Sequence, residues 1–354
     1  MKKSILSLLV LCSALMAQNQ TEAEKICKEG ITLHDAGKYE EAIVKYEEAL
    51  KADKDNLLAL AEKAYSLTML NKLEEAAGTA EYCISKHKGD KELRMVYITY
   101  ANALDMLKKP ERALMVYDEA IGYFPDFYFL YYNKGVTLNG LKRYSEALTC
   151  FEKSANNNPN HASSQSGLAF LLAMENKKIP SLLASIRFLV LEPKSERSGL
   201  VYNNLMKQLN GNSQKTGKNS FSITLDPKTF ADTTLDGKNK ENNFDMTEML
   251  VSLSSAIPED KKLKKLDAAQ KLTLRLQMLA GSLKSEKKKN FGLYWDYYAP
   301  YLIAMNEAKM ITTFSYIAMV STDDKDVAKW IKANSTEIEN FYKWDKSYVW
   351  NTQK

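Results

Sequence analysis

A small residue followed four positions later by an aromatic returns along the first half of the chain at a nearly constant step. Ala42 with Tyr46, Ala113 with Tyr117 and Ala147 with Phe151 are such pairs. Ahead of each lies a second set, small and then apolar three residues on: Gly30 and Leu33, Ala64 and Leu67, Ala101 and Leu104, Gly135 and Leu138. Spacings of three and four put each set on one helix face. Short breaks such as Gly140–Arg143 separate the sets. The step is 37 residues from Ala76 to Ala113 and 34 from Ala113 to Ala147, so three extra residues sit near Gly89–Leu93. Small residues on both helices of a pair let them approach closely, and each pair buries its apolar face against a neighbour. A coiled coil is excluded, because the recurring breaks never let a heptad run.

The most faithful unit is 128–161. Gly135, Leu138, Tyr144, Ala147, Phe151 and Pro159 stand where the tetratricopeptide repeat (TPR) has a small residue, an apolar residue, Ala-x3-Phe and a late Pro, so the stretch resembles that family. Lys134 departs, at a position usually held by Leu. The same register gives repeats at 23–56, 57–90 and 94–127, with Lys54 in place of the late Pro in the first. In the second, Ala80 replaces the large aromatic and Cys83 takes a small buried position. A degenerate fifth repeat at 162–195 keeps Ala169, Leu172 and Pro193, but Ser181 and Ser185 replace Ala and Phe. A degenerate last repeat is expected of a cap.

The resemblance implies a right-handed α-solenoid whose concave surface carries motif positions 2, 5, 9 and 12 of each first helix. In this chain that stripe includes Leu58, Ile98 and Asp105, and the residues expected to bind a partner are Tyr65, Met95, Asn102, Phe129, Tyr132, Val136, Asn139 and Phe170. The implied partner is a protein or peptide held in an apolar, aromatic groove with scattered amides. Phe129 and Tyr132 are expected to be dispensable for folding. In the alternative, this chain's own linker or C-terminal helices cover them. The carboxylate clamp of chaperone-tail-binding members does not carry over, since Cys27 and Ile31 stand where its Lys and Asn would be.

Residues 1–17 have the layout of a secretory signal peptide: Lys2 and Lys3, an apolar run from Ile5, then small residues. Export is expected, to a periplasm, an outer-membrane-associated place or the medium. Lipidation at Cys12 is disfavoured by Leu11 just before it. Cys27, Cys83 and Cys150 have no close spacing and read as buried free thiols.

Beyond the repeats, 196–244 reads as a polar linker with a short strand at Phe221–Leu225, its partner expected near Phe230–Leu235. Residues 245–354 read as a second helical domain holding all four tryptophans, Trp295, Trp330, Trp344 and Trp350, in an aromatic core of its own. Asp245 is expected to cap a helix with Met246, Met249, Leu250, Leu253 and Ile257 along one face. The stretch Leu272–Leu279 alternates like a strand, yet Leu272, Leu276, Leu279 and Leu283 fit one helix face. The fold class is therefore all-α: a TPR superhelix, then a second helical domain, with a short strand in the linker.

Net charge is +5, too mild for a nucleic-acid surface, and the Lys-only runs at 261–265 and 287–289 lack interleaved aromatics. No transmembrane span is expected, for want of 18 apolar residues in a row after the leader. His34, His87 and His161 lie in different repeats at no ligand spacing, and no phosphate loop, nucleophile elbow or zinc signature occurs. No catalytic residue, cofactor or metal is expected. Two functions remain: an exported scaffold that binds a protein or peptide in a bacterial cell-envelope complex, or a C-terminal ligand-binding or enzymatic module with the repeats as its docking arm.

Overall fold

The computed structural model describes residues 22–210, 213–215, 221–223, 241–256, 263–287 and 290–351. The signal-peptide reading of 1–17 and the strand partner at 230–235 lie outside these residues. The chain divides into two compact units, Met1–Ser154 and Ala155–Lys354.

In the first unit the helices are α1 (22–35), α2 (Tyr39–Ala52), α3 (Leu57–Met69), α4 (Leu73–Lys86), α5 (Leu93–Met106), α6 (Pro110–Tyr123) and α7 (Tyr128–Gly140). Helix α8 (Tyr144–Asn157) begins here and its last turn passes into the second unit. Each helix pair is joined by the same turn. Gly37, Asn71, Lys108 and Lys142 all adopt positive φ, between 58° and 74°. The next amide then returns to a leucine carbonyl five residues back: Lys38 to Leu33, Lys72 to Leu67, Lys109 to Leu104 and Arg143 to Leu138, all at 2.9 Å. This is the helix C-terminal motif in which a left-handed residue lets the chain satisfy the last carbonyls. The turn keeps the 34- and 37-residue steps.

Packing inside the pairs follows the small residues. Ala42, Ala64, Ala76, Ala101, Ala113 and Ala147 are fully buried. A Cβ on Gly30 would lie 2.5 Å from the Tyr46 ring, and one on Gly135 would lie 2.8 Å from the Phe151 ring. Glycine is there because an aromatic of the second helix rests directly on the first helix's backbone. Cys27, Cys83 and Cys150 are buried free thiols. Burial pushes the first up to about 11, with Glu62 adding.

The second unit holds α9 (Ala162–Met174), α10 (Lys178–Leu191), α11 (Glu196–Asn210), a two-stranded antiparallel ribbon, and α12 (Asp245–Ala256) and α13 (Ala268–Glu286). A π-helical segment, Tyr294–Tyr298, then runs into α14 (Ala299–Glu307) and is followed by α15 (Ile311–Ala318), α16 (Lys325–Ala333) and α17 (Ser335–Ser347). The repeat turn reappears twice. Asn176 and Lys309 have positive φ, and Lys177 and Met310 donate back to Leu172 and Met305.

Several expectations are corrected here. Helix α10 does not end the packing as a cap would: every residue from Ile179 to Val190 is buried, with α9, α11, α15 and the π segment packed around it. A helix apolar on all sides requires neighbours on all sides, and IPSLLASIRFLVL is such a sequence. The polar linker does not begin at 196, since α11 runs to Asn210 with Val201, Leu205 and Leu209 buried. The strand Phe221–Ile223 pairs backwards with Ser213–Lys215. Asp245 is the first helical residue rather than the cap, and its amide donates to the Asn243 side chain at 2.9 Å. On α12 the buried face is Thr247, Val251 and Ser252, whereas Met246, Leu250 and Leu253 are exposed. In α13, Leu272, Leu276, Leu279 and Leu283 are buried, and the Asp267–Gln270 capping box starts the helix, so the helical period wins over the alternation.

Candidate functional site

The stripe positions of α1, α3, α5 and α7 converge on one open cavity of about 630 Å³ in the first unit. Ile31 and His34 come from α1, Ala61, Tyr65 and Thr68 from α3, Met95, Ile98 and Asn102 from α5, and Phe129 from α7. A helix presents i, i+3, i+4 and i+7 on one side, so parallel first helices in register bring their stripes together.

Four of the eight residues expected to bind a partner line this cavity: Tyr65, Met95, Asn102 and Phe129. Tyr65 and Met95 are 46% and 51% exposed, large apolar side chains held open to water. Tyr65 stacks on His34 at 4.9 Å between ring centres, and His34 Nδ1 lies 2.7 Å from the Ser66 hydroxyl. Asn102 is oriented by Tyr117, whose hydroxyl donates to its Oδ1 at 2.5 Å. Phe129 is half-buried and packs against the repeat core, so it is less open to a partner than Tyr65 or Met95. Tyr132 lies against Phe151, with ring centres 5.9 Å apart, and takes part in packing as well. Val136 and Asn139 are exposed on α7 outside the cavity lining. Phe170 belongs to the second unit and lines a different cavity with Met174, Leu200 and Asn204.

Sequence reasoning missed three polar members of the lining, Asp35, Glu62 and Asn133. His34 and Ala61 were legible as stripe positions, but Asp35, Glu62 and Asn133 sit one residue beside the stripe. Burial raises the Glu62 carboxyl above its ordinary range, with Asp35 adding to the rise and His34 opposing it.

A second polar cluster surrounds Arg187 on α10, wholly inside the second unit. Its guanidinium donates to Asp345 Oδ1 at 2.5 Å, Asn160 Oδ1 at 2.5 Å, the Tyr301 hydroxyl at 3.0 Å and the Pro159 carbonyl at 3.2 Å. The Tyr301 hydroxyl in turn donates to Asp345 at 2.6 Å. Trp350 and Tyr301 flank the cation at 4.9 and 5.1 Å from their ring centres. All three guanidinium nitrogens are engaged by protein acceptors, so the cluster acts as an internal clamp. The signal for it was one Arg inside an otherwise apolar helix.

The cavity among α11, α12 and α13, about 310 Å³, is mainly apolar, lined by Leu209, Leu250, Val251, Met278 and Leu279 with Arg275. Among the described residues no three His, Cys, Asp or Glu side chains gather to hold a metal ion. Among them, too, no helix is long and apolar enough to cross a membrane.

Two family models, each described as tetratricopeptide repeat, match residues 27–83 and 130–161. No curated protein matches the chain. Among solved structures, PilF of Pseudomonas aeruginosa is 21% identical, with 54% of this chain and 90% of that one covered and a TM-score of 0.45. TTC0263, a thermophilic TPR protein of Thermus thermophilus, is 18% identical over 52% of this chain and 100% of its own, with a TM-score of 0.44. YrrB, a TPR protein with an unusual peptide-binding site, is 16% identical over 55% and 97%, with a TM-score of 0.41. The chain carries tetratricopeptide repeats: two family models match them, and the turn that recurs at Gly37, Asn71, Lys108 and Lys142 gives their register.

Proposed function

We propose that the groove of the first unit holds an extended segment of a partner protein. In this reading the chain is a non-enzymatic scaffold, exported through residues 1–17 and working in a bacterial cell-envelope complex. The repeat fold is an interaction scaffold, and the observation that carries the finer reading is the convergence of nine stripe residues from four helices on one cavity. Tyr65 and Met95 are large side chains left open there, and a few such anchors usually dominate binding energy. Export rests on the order of charge, apolar run and small residues at the start of the chain.

Replacing both anchors, Tyr65→Ala with Met95→Ala, tests the groove. Such exposed changes alter stability by only about 0.5 kcal/mol each, so loss of partner capture by a variant that still melts normally supports the reading. A variant that melts normally and captures the same partner moves the site elsewhere. Fractionating cells that express the chain with and without residues 1–17 tests export: cytosolic retention of both forms refutes it.

A further inference from the structure

The apolar groove carries two carboxyl groups, and its one basic side chain is His34. Its lining holds Asp35 and Glu62 and neither Lys nor Arg. A neighbouring depression shares Ala61, Glu62, Met95 and Val96 with it and adds Glu24, Asp53, Asp55, Asp90 and Glu92, with His87 and again without Lys or Arg. Elsewhere in this unit some carboxylates are paired, as Glu29 and Glu48 are with Lys45, Glu47 with Lys63, Asp118 with Lys134, and Glu111 and Glu146 with Arg143, while Glu81, Asp105 and Glu119 accept from hydroxyl groups. Among the described residues, none of the seven groove carboxylates forms such a pair. They are hydrogen-bonded at most, as Asp55 is to the Tyr82 hydroxyl at 2.6 Å and Asp90 to the Glu92 amide at 2.9 Å. The chain as a whole has net charge +5, whereas residues 22–154 carry 19 Lys and Arg against 23 Asp and Glu, so the groove lies in the acidic part of the chain.

Resting on the groove reading above, we infer that the occupant is a cationic extended peptide, with apolar side chains for Tyr65, Met95 and Phe129 and Lys or Arg side chains for the carboxylates around Glu62. Carboxylate charge in a partly dry cleft is felt more strongly than on open surface, and complementary charge fixes which partner is accepted. An acidic peptide would add like charge to the cleft and is rejected. Because residues 22–154 are net acidic as a whole, loss of the preference on changing Asp35 and Glu62, not the preference alone, reports the cleft.

Titration calorimetry of the full chain with three synthetic peptides tests this. All three have one backbone of Leu, Ser and Gly, with the remaining positions filled by Lys, by Gln or by Glu. The Lys peptide is expected to bind at least tenfold tighter than the Gln peptide and the Glu peptide weakest, with the Lys advantage shrinking as salt rises. Glu62→Gln with Asp35→Asn is expected to bring the Lys peptide down to the affinity of the Gln peptide without moving the latter. Equal affinities for all three, or no binding by any, overturn the charge assignment. Tyr65→Ala with Met95→Ala separates this from the underlying reading: if that variant holds the Lys peptide unchanged, the groove itself is not the site.

Discussion

Arg187 and Asp345 stand 158 residues apart in sequence, yet their side chains meet at 2.5 Å and are only 2% and 10% exposed. A buried pair of this kind is asymmetric in its energetics. Removing one partner strands a charge, whereas removing both replaces it with apolar contact.

Asp345→Leu is therefore expected to cost about 3–5 kcal/mol, and Arg187→Met with Asp345→Leu is expected to cost clearly less than the sum of those two single changes. Urea denaturation of the four proteins in a double-mutant cycle measures it. Additive losses would mean that the two groups do not act together.

The glycine at 135 meets the Phe151 ring, so Gly135→Ala is expected to destabilise by about 1–3 kcal/mol through overpacking. Lys134→Leu should cost less than about 1 kcal/mol, the worth of its surface pair with Asp118. Conversely, Lys142 holds positive φ in the turn, and Lys142→Gly is expected to stabilise by about 1 kcal/mol. Thermal melts of the three variants rank them; any other order would contradict the packing.

In α13 the helical period can be tested against the alternation. Leu276→Ala is expected to lose about 2–5 kcal/mol, as buried leucines do. Leu274→Ala, at a 39% exposed position, is expected to lose well under half of that. A strand would expose or bury both alike.

Phe129→Ala is expected to cost about 1–2 kcal/mol, part of the roughly 3–5 kcal/mol lost at a fully buried Phe, because the ring packs on the repeat core. Guanidinium-chloride midpoints give the value. An unchanged midpoint would restore the view of Phe129 as a purely solvent-facing anchor.

His161 is held below the usual imidazole range, first by burial and then by Arg197. Folded, it stays neutral while the unfolded chain takes up a proton below about 6.5. Its contribution is full above that value and is lost as pH falls toward its folded one. Urea midpoints of wild type and His161→Gln at pH 7.5, 6 and 5 should therefore converge as the pH drops. Curves that stay parallel would show that His161 titrates alike in both states.

What the sequence determined by itself was periodic. Gly30, Ala64, Ala101 and Gly135, with their partners on the second helices, specify helix pairs and their register, since close approach demands small residues at fixed spacing. The four leucines of α13 likewise set a helix through pattern alone. The groove was half legible: stripe positions follow from spacing, but Asp35, Glu62 and Asn133 flank the stripe and line the cavity only because adjacent helices stand side by side. Tertiary structure alone decided that α10 is buried on every side, that α12 turns Thr247 and Val251 inward and Leu250 outward, and that Arg187 finds Asp345. Helical periodicity names a face, but which neighbour covers it depends on contacts between residues far apart in the chain, and no local pattern encodes those.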